Sequence, residues 1–281
     1  MTIYLLVYQL LRKRESPAGK FFSAEAHILH FGKVRADTMI YVTGDTHGDK
    51  RRFTSRAAAH LGRGDTLIVL GDFGFIWDGS KAEKKLLTWL GKRKYRILFL
   101  DGKYENYDLL AQYPVSEAFG GQVQQISGNL YHLLRGEVYT IDGQTVFAFG
   151  GGDSAEKAMR MEQHCWWPQE LPSEEEMHRG IRNLAQHGNR VDLILTHEAP
   201  SMAKYLRNVR ADSLDTLTAF FDEIVHHTEY RCWYFGSVHQ TRYLAKKTIA
   251  VFDEILAADG TPPGHAPAAP AAPRGQHFKS E

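Results

Sequence analysis

The sequence predicts an α/β protein whose many strands form two packed sheets flanked by helices. Two observations carry this expectation. Through the first half of the core, apolar runs bounded by glycines alternate with helix-patterned stretches, the mark of strand–helix layering. Further on, Asp142-Gly143 joins two apolar runs directly, a strong tight-turn signal.

In order, residues 40–43 read as an opening strand and 50–61 as a helix. Residues 66–70 form the next strand, 81–92 a helix, 97–100 a strand and 107–112 a short helix. Strands at 130–134, 138–141 and 145–149 follow. Residues 153–170, rich in Met and Trp, read as an inserted loop and helix. Ser173 then offers an N-cap hydroxyl, and Glu174, Glu175 and Glu176 place negative charge on the positive end of a helix dipole, so a helix should run to about His187. Residues 191–196 read as a buried strand. Residues 214–227 are amphipathic, with Leu214, Leu217, Phe220, Phe221, Ile224 and Val225 on one face. Strands at 231–235, 243–245 and 248–252 finish the core, and no internal repeat is present.

The ends differ in texture from this core. Residues 1–38 lack a clear period, and Met39 directly precedes the first strand, so the functional domain is expected at residues 39–256 with an appendage or upstream start before it. From residue 257 the chain is dense in Pro, Ala and Gly. Such a segment buries too little apolar area to offset backbone ordering, and disorder is expected there.

Composition narrows the class. The formal net charge is +1, which gives no reason to expect a polyanionic partner held by bulk charge, and nucleic acid is not indicated. Cys165 and Cys232 stand far apart in no metal-type spacing and read as reduced thiols. The longest apolar run near the start, residues 3–11, falls short of the roughly 20 residues a membrane span needs. Its positive charges follow the run, whereas a signal peptide puts them first, so a cytoplasmic location is expected.

The chemistry sits just past strand ends. Gly44-Asp45-Thr46-His47-Gly48 follows the first strand, Gly71-Asp72 the second, Thr196-His197 a later one, and Gly236-Ser237-Val238-His239 another. Short polar loops at that edge are where open α/β sheets place their sites. Asp45, His47, Asp72, His197 and His239 can therefore converge although distant in sequence, and mixed carboxylate and imidazole ligation suits manganese, iron or zinc more than calcium. A fifth block, Asp101-Gly102-Lys103-Tyr104-Glu105-Asn106, lies between them.

This ordered set resembles the calcineurin-like metallophosphoesterases, whose pattern is Asp-x-His, Gly-Asp, Gly-Asn-His-Asp/Glu, His and Gly-His-x-His. The resemblance spans about Met39 to Glu254. Tyr41, the Asn106-Tyr107-Asp108-Leu109-Leu110 run, Trp166-Trp167-Pro168 and Trp233-Tyr234-Phe235-Gly236 are similar to small bacterial members. It implies a sandwich of two mixed β-sheets flanked by helices, with a phosphate-ester hydrolase site at one edge. It also implies a first metal held by Asp45, His47, Asp72 and His239, with Asp72 bridging to a second held also by His197. The second metal's Asn ligand is replaced by Lys103 and its first paired His by Ser237. The family's proton-donating His is replaced by Tyr104. All three departures fall on the second metal and the proton donor.

The expectation is thus a phosphoesterase (a phosphatase-like hydrolase) binding one divalent ion, with weakened turnover of a phosphorylated small molecule or nucleotide. The rival is a non-catalytic relative that binds a phosphorylated ligand or a protein partner in the same cleft; a working one-metal phosphodiesterase is a third reading. For Lys103 two placements are open: its ammonium takes the second-metal position and neutralises Asp72, or it points to solvent. Arg160 either clamps phosphate or lies on the surface; Arg242 reads as a surface residue, and Trp166 and Trp167 as packing groups beside the cleft.

Overall fold

The computed structural model describes residues 38–203, 215–245 and 247–259. The appendage expected at residues 1–38 lies outside them except for Thr38, as do Leu214 and residues 260–281 of the expected tail. The protein is α/β, with two mixed β-sheets packed face to face and helices on their outer sides.

The first sheet has seven strands. In spatial order they are β13 (Leu256–Ala257), β1 (Ile40–Thr43), β2 (Thr66–Val69), β3 (Arg96–Phe99), β6 (Leu130–Leu133), β5 (Gly121–Ser127) and β4 (Val115–Ala118). Strands β1, β2, β3 and β6 are parallel, and the outer pairings are antiparallel. The second sheet has six strands: β11 (Arg242–Ala245), β12 (Thr248–Ala250), β10 (Glu229–Phe235), β9 (Arg190–Thr196), β8 (Gln144–Phe149) and β7 (Glu137–Ile141). Here β8, β9, β10 and β12 run parallel. Asp142 and Gly143 close the β7–β8 hairpin with φ of 49° and 78°, the positive pair a tight primed turn demands.

Alternation along the strands builds the layers. On β2 and just beyond it, Ile68 and Leu70 face the opposite sheet, where they meet Ile141, Val146, Leu193, Leu195 and Tyr234. Leu67 and Val69 face outward onto Phe53, Leu87, Leu90 and Tyr107 from the helices. Those helices are α1 (Arg51–Thr54), α2 (Arg56–His60), α3 (Lys81–Gly91) and α4 (Tyr107–Leu110). The second sheet is covered by α6 (Glu174–Gln186) and α7 (Thr216–His227), which supply Met177, Leu184, Leu217, Phe220, Phe221 and Ile224 against Phe147, Phe149, Ile194 and Trp233. Both faces of the central strands are therefore buried, which is why they read as continuous apolar runs. Among the described residues no helix is long and apolar enough to cross a membrane.

Most expected elements stand within a residue or two of their places. Ser173 caps α6 in a full capping box with Glu176. The inserted segment carries α5 (Lys157–Glu162) and a 3₁₀ turn at Pro168–Glu170. The expected helix over 50–61 is split, because Ser55 is extended (φ −64°, ψ 162°) and caps α2 through the amide of Ala58. Three strands went unforeseen. β4 is solvent-exposed, β5 is rich in glutamine, and neither shows a two-residue apolar period. β13 corrects the boundary placed at residue 257: Ala257 pairs with Tyr41, and Ala258, buried, donates its amide to the Ile40 carbonyl at 2.8 Å. The domain therefore runs past the expected end.

Truncation checks this edge. A chain ending at Asp259 should melt with the full-length protein. One ending at Ile255 should melt lower by several degrees, since it loses the β13 pairing and buried Leu256 and Ala258, a loss of about 2–4 kcal/mol. Equal melting temperatures for both truncations would show that β13 adds nothing.

Candidate metal centre

The site lies at the C-terminal ends of parallel strands from both sheets. Asp45 and His47 follow β1, Asp72 follows β2, the block from Asp101 to Glu105 follows β3, His197 follows β9, and Ser237 and His239 follow β10. Four of these side chains are presented from left-handed backbone: His47 (φ 44°), Asp72 (45°), Ser237 (58°) and His239 (50°). Each such conformation costs a non-glycine residue about 1–3 kcal/mol and persists only where the surroundings impose it. The surroundings here are explicit. The Asp72 carbonyl accepts the amides of Thr46 (3.1 Å) and His47 (2.8 Å), and the Phe73 carbonyl accepts the Gly48 amide and the Thr46 hydroxyl.

Two groups of three side chains result, and they share Asp45. In the outer group, Asp45 Oδ2 lies 2.9 Å from His239 Nε2 and 3.9 Å from His47 Nε2, and the two Nε2 atoms are 3.3 Å apart. Ligands held about 2.0–2.2 Å from one ion stand about 3.0–3.5 Å from one another; the two spacings to His239 Nε2 lie near that range, and the His47–Asp45 spacing of 3.9 Å is wider, so His47 would have to draw in to share the ion. The inner group joins Asp45, Asp72 and His197, all buried. His197 Nε2 is 3.5 Å from Asp72 Oδ1. Its Nδ1 faces the Leu70 carbonyl at 3.0 Å; a carbonyl only accepts, so Nδ1 carries a proton there and Nε2 is the ring atom turned toward the site.

Buried atoms left without partners mark the same spot. His197 Nε2 and Ser237 Oγ make no hydrogen bond, and the polar neighbour of Asp45 Oδ2 at short range is His239 Nε2, at 2.9 Å. Each unmet buried polar group costs about 1–3 kcal/mol, and a divalent ion would satisfy those that are ligands. The chemistry of the donors thus fits a metal. Burial opposes ionisation of Asp45, but the His197 and His239 rings and the Ser237 amide outweigh it, and its carboxyl is held below the usual range.

The expected ligands are thus brought together, with one reassignment. The resemblance groups Asp72 with Asp45, His47 and His239; here Asp72 belongs to the inner trio and Asp45 is the shared residue. The cause is local. Asp72 Oδ1 accepts the amides of Lys103 (2.5 Å) and Tyr104 (2.8 Å), which turn the carboxylate toward His197. Gly102 permits the approach: a Cβ there would lie 2.1 Å from Asp72 Oδ1, and one on Gly71 would lie 2.2 Å from His197 Nδ1.

The remaining expectations resolve as follows. Lys103 is buried and does not point to solvent; its ammonium pairs with Glu198 at 2.7 Å, a partner other than the expected Asp72. Tyr104 stands edge-on to His47 with ring centres 5.7 Å apart and donates its hydroxyl to Glu156 at 3.2 Å. Burial first, then the Glu156 carboxylate, push that hydroxyl up from its ordinary pKa. Arg160 corrects both placements open to it. It is buried, pairs with Glu170 at 2.7 Å, donates to Ser154 and to the Cys165 carbonyl, and lies 4.3 Å over the Tyr104 ring. A guanidinium so engaged braces the inserted segment and is not placed to clamp phosphate. Arg242 is exposed, and Trp167 packs against Trp77 and donates to Asp108.

Sequence reading missed the support beneath the site. Asp101 is buried and held by Arg135, His132 and Tyr107. Burial opposes its charge, but Arg135 and His132 prevail and keep its carboxyl far below the ordinary range. Glu105, also buried, accepts the amides of Phe73 and Gly74 and fixes the loop after Asp72. Asp101 gave a signal, as a second aspartate just past a strand; Arg135 and Glu198 gave none. The chain matches no family model and no curated protein.

Two substitutions probe this support. Gly102→Ala should weaken manganese binding by roughly 10–100-fold in calorimetric titration, because it displaces Asp72; unchanged affinity would show that the loop does not set the carboxylate. Asp101→Asn should cost about 3–5 kcal/mol in urea unfolding at pH 7, since it strands a buried arginine. The depressed Asp101 pKa gives stability that is complete above the unfolded value near pH 4 and fades as pH falls below it. The gap between wild type and variant should therefore narrow on acidification.

Proposed function

We propose that this protein is a cytoplasmic, metal-dependent phosphoesterase of the calcineurin-like type that works with one divalent ion and turns over slowly. The observation that carries the reading is the convergence of Asp45, His47, Asp72, His197 and His239 at one sheet edge, with buried ligand atoms left unmet. The paired mixed sheets and outer helices are consistent with that family's sandwich, which is part of the proposal.

Asp45, His47 and His239 would hold the ion, with Asp72 and His197 lining its inner side. Bound there, manganese, iron or zinc would supply Lewis acidity toward a phosphoryl oxygen and lower the pKa of a bound water. The chain's own residues then account for modest turnover. Tyr104 adjoins His47, and its raised pKa keeps the hydroxyl protonated at neutral pH. It can donate a hydrogen bond to a phosphate oxygen, but it releases a proton to a leaving group less readily than imidazole would. Removing one preorganised charge-stabilising donor costs about 100–1,000-fold in turnover, and this site lacks the family's imidazole donor and a second imidazole at Ser237. Those same positions favour the second reading, a cleft that binds a phosphorylated ligand without hydrolysing it.

A chromogenic phosphodiester assay decides between them. Purified protein with manganese should hydrolyse the ester slowly, and chelation or Asp45→Asn should remove the activity. Lys103→Asn, Tyr104→His and Ser237→His together should raise the rate at least tenfold. No manganese-dependent hydrolysis by the wild type, with no gain in a folded triple variant, would leave ligand binding as the function.

A further inference from the structure

The outer trio draws its members from two sheets. Asp45 and His47 follow β1 in the first sheet, and His239 follows β10 in the second. Their meeting depends on what joins the two strand edges, and a residue outside the trio does so. Arg52, half-buried on α1, donates to the Thr43 hydroxyl and to the Phe252 carbonyl at 2.6 Å, and its other terminal nitrogen reaches the Asp45 carbonyl at 3.4 Å. Thr43 and Asp45 belong to β1 and the loop after it, whereas Phe252 lies just past β12 of the second sheet. Phe252 is itself fixed at both main-chain groups. Its carbonyl also accepts the Gly44 amide at 2.9 Å, and its amide donates to the Thr241 hydroxyl at 3.2 Å. Gly44 permits the approach, since a Cβ there would lie 2.1 Å from the Val251 carbonyl oxygen. The Phe252 ring then stacks on His239, with centres 4.8 Å and planes 27° apart.

We propose that Arg52 and Phe252 are positioning residues for the outer trio: Arg52 fixes the main chain of Asp45 relative to that of Phe252, and the Phe252 ring carries this spacing to His239. The inference rests on the metal-dependent reading above. His47 and His239 are exposed and stand on left-handed backbone, so packing alone restrains them less than the sealed pair Asp72 and His197. Among the described residues, none of the Arg52 hydrogen bonds reaches a carboxylate or an imidazole, so its influence on the trio passes through main chain and ring. A guanidinium suits the task because its planar fork serves two carbonyls at once, whereas a lysine offers a single nitrogen. A charge effect would have the opposite sign. A cation beside the site repels a divalent ion, so its removal would by charge alone tighten binding, and loss of a positioning group weakens it.

Metal binding by the full chain tests this without turnover. Manganese is titrated into the metal-free protein by calorimetry, cobalt binding is followed by visible absorption, which reports ligand geometry, and urea unfolding of each metal-free variant is measured alongside. Arg52→Gln should bind manganese about 10–100-fold more weakly than wild type and change the cobalt spectrum. Arg52→Lys keeps the charge but not the fork and should still lose about tenfold. Phe252→Leu leaves the main-chain contacts of Arg52 in place and should lose about threefold to tenfold, roughly what a stacked aromatic pair contributes. Arg51→Gln removes the same charge from the neighbouring residue, which is exposed and pairs with Asp49, and should leave affinity and spectrum unchanged. An arginine that only stabilised the fold would lower the urea midpoint and leave the affinity of the folded protein and the spectrum unmoved. The proposal falls if any of Arg52→Gln, Arg52→Lys and Phe252→Leu binds manganese as tightly as wild type or more tightly, or if Arg51→Gln weakens binding as much as Arg52→Gln. A wild type that binds no ion overturns the metal-dependent reading and this inference with it, so the two failures are told apart. Should Arg52→Gln fail to fold, Arg52→Lys and Phe252→Leu decide by the same criterion.

Discussion

The site depends on one residue, Asp72, and on the hydrogen bonds that converge on it. Its carbonyl holds the loop after β1 through the amides of Thr46 and His47, and its carboxylate holds the loop after β3 through the amides of Lys103 and Tyr104. Glu105, from that third loop, closes the circuit by accepting the amides of Phe73 and Gly74. Three strand ends are thereby locked in mutual register by backbone donors, which have little freedom to move. The left-handed backbone at Asp72 and His47 is stable only because these bonds are charge-assisted or buried. Without Asp72 the outer ligands would belong to an ordinary flexible loop.

Buried ion pairs set what the locked loops present. Asp101–Arg135 lies beneath Gly102, Lys103–Glu198 spans the inner side, and Arg160–Glu170 fastens the inserted segment against Tyr104. Pairs of this kind contribute little net stability, because desolvation offsets their attraction, yet losing one partner is costly. Their effect is on placement. Each fixes a charge or a ring that would otherwise sample several positions near the cleft.

Much of this was legible in the sequence, for physical reasons that also mark the limit. Strands buried on both faces announce themselves as apolar runs, and α6 announced its start through Ser173 and its acidic first turn. The candidate ligands were legible because an aspartate or histidine just past such a run has few other reasons to recur in that pattern. Strands β4 and β5 were not, since they are held by backbone pairing to a neighbour and their polar faces carry no period. Nor was the inner boundary of the site. Nothing in the residue types at 103 and 198 tells that they meet across 95 positions, or that two amides turn Asp72 from the outer trio to the inner one. Arg160 shows the same gap: an arginine in an inserted segment reads as a surface or phosphate-binding group, and only the fold places Glu170 beside it.

Burial gives the two trios different roles. His47 and His239 are 38% and 53% exposed at the side chain, whereas Asp72 and His197 are sealed. An ion held by the outer trio would be open to solvent on the imidazole side, with Asp72 and His197 behind it. The neighbours of the open side are Tyr104, edge-on to His47, and Phe252, stacked on His239 at 4.8 Å. The strained φ values of His47 and His239 serve that geometry, turning both rings toward one carboxylate oxygen of Asp45 and away from the packed strands behind it. Local backbone preference is overridden at several residues that share one focus, and buried polar atoms there stay unmet, a combination that marks places where a fold gives up local stability for a site.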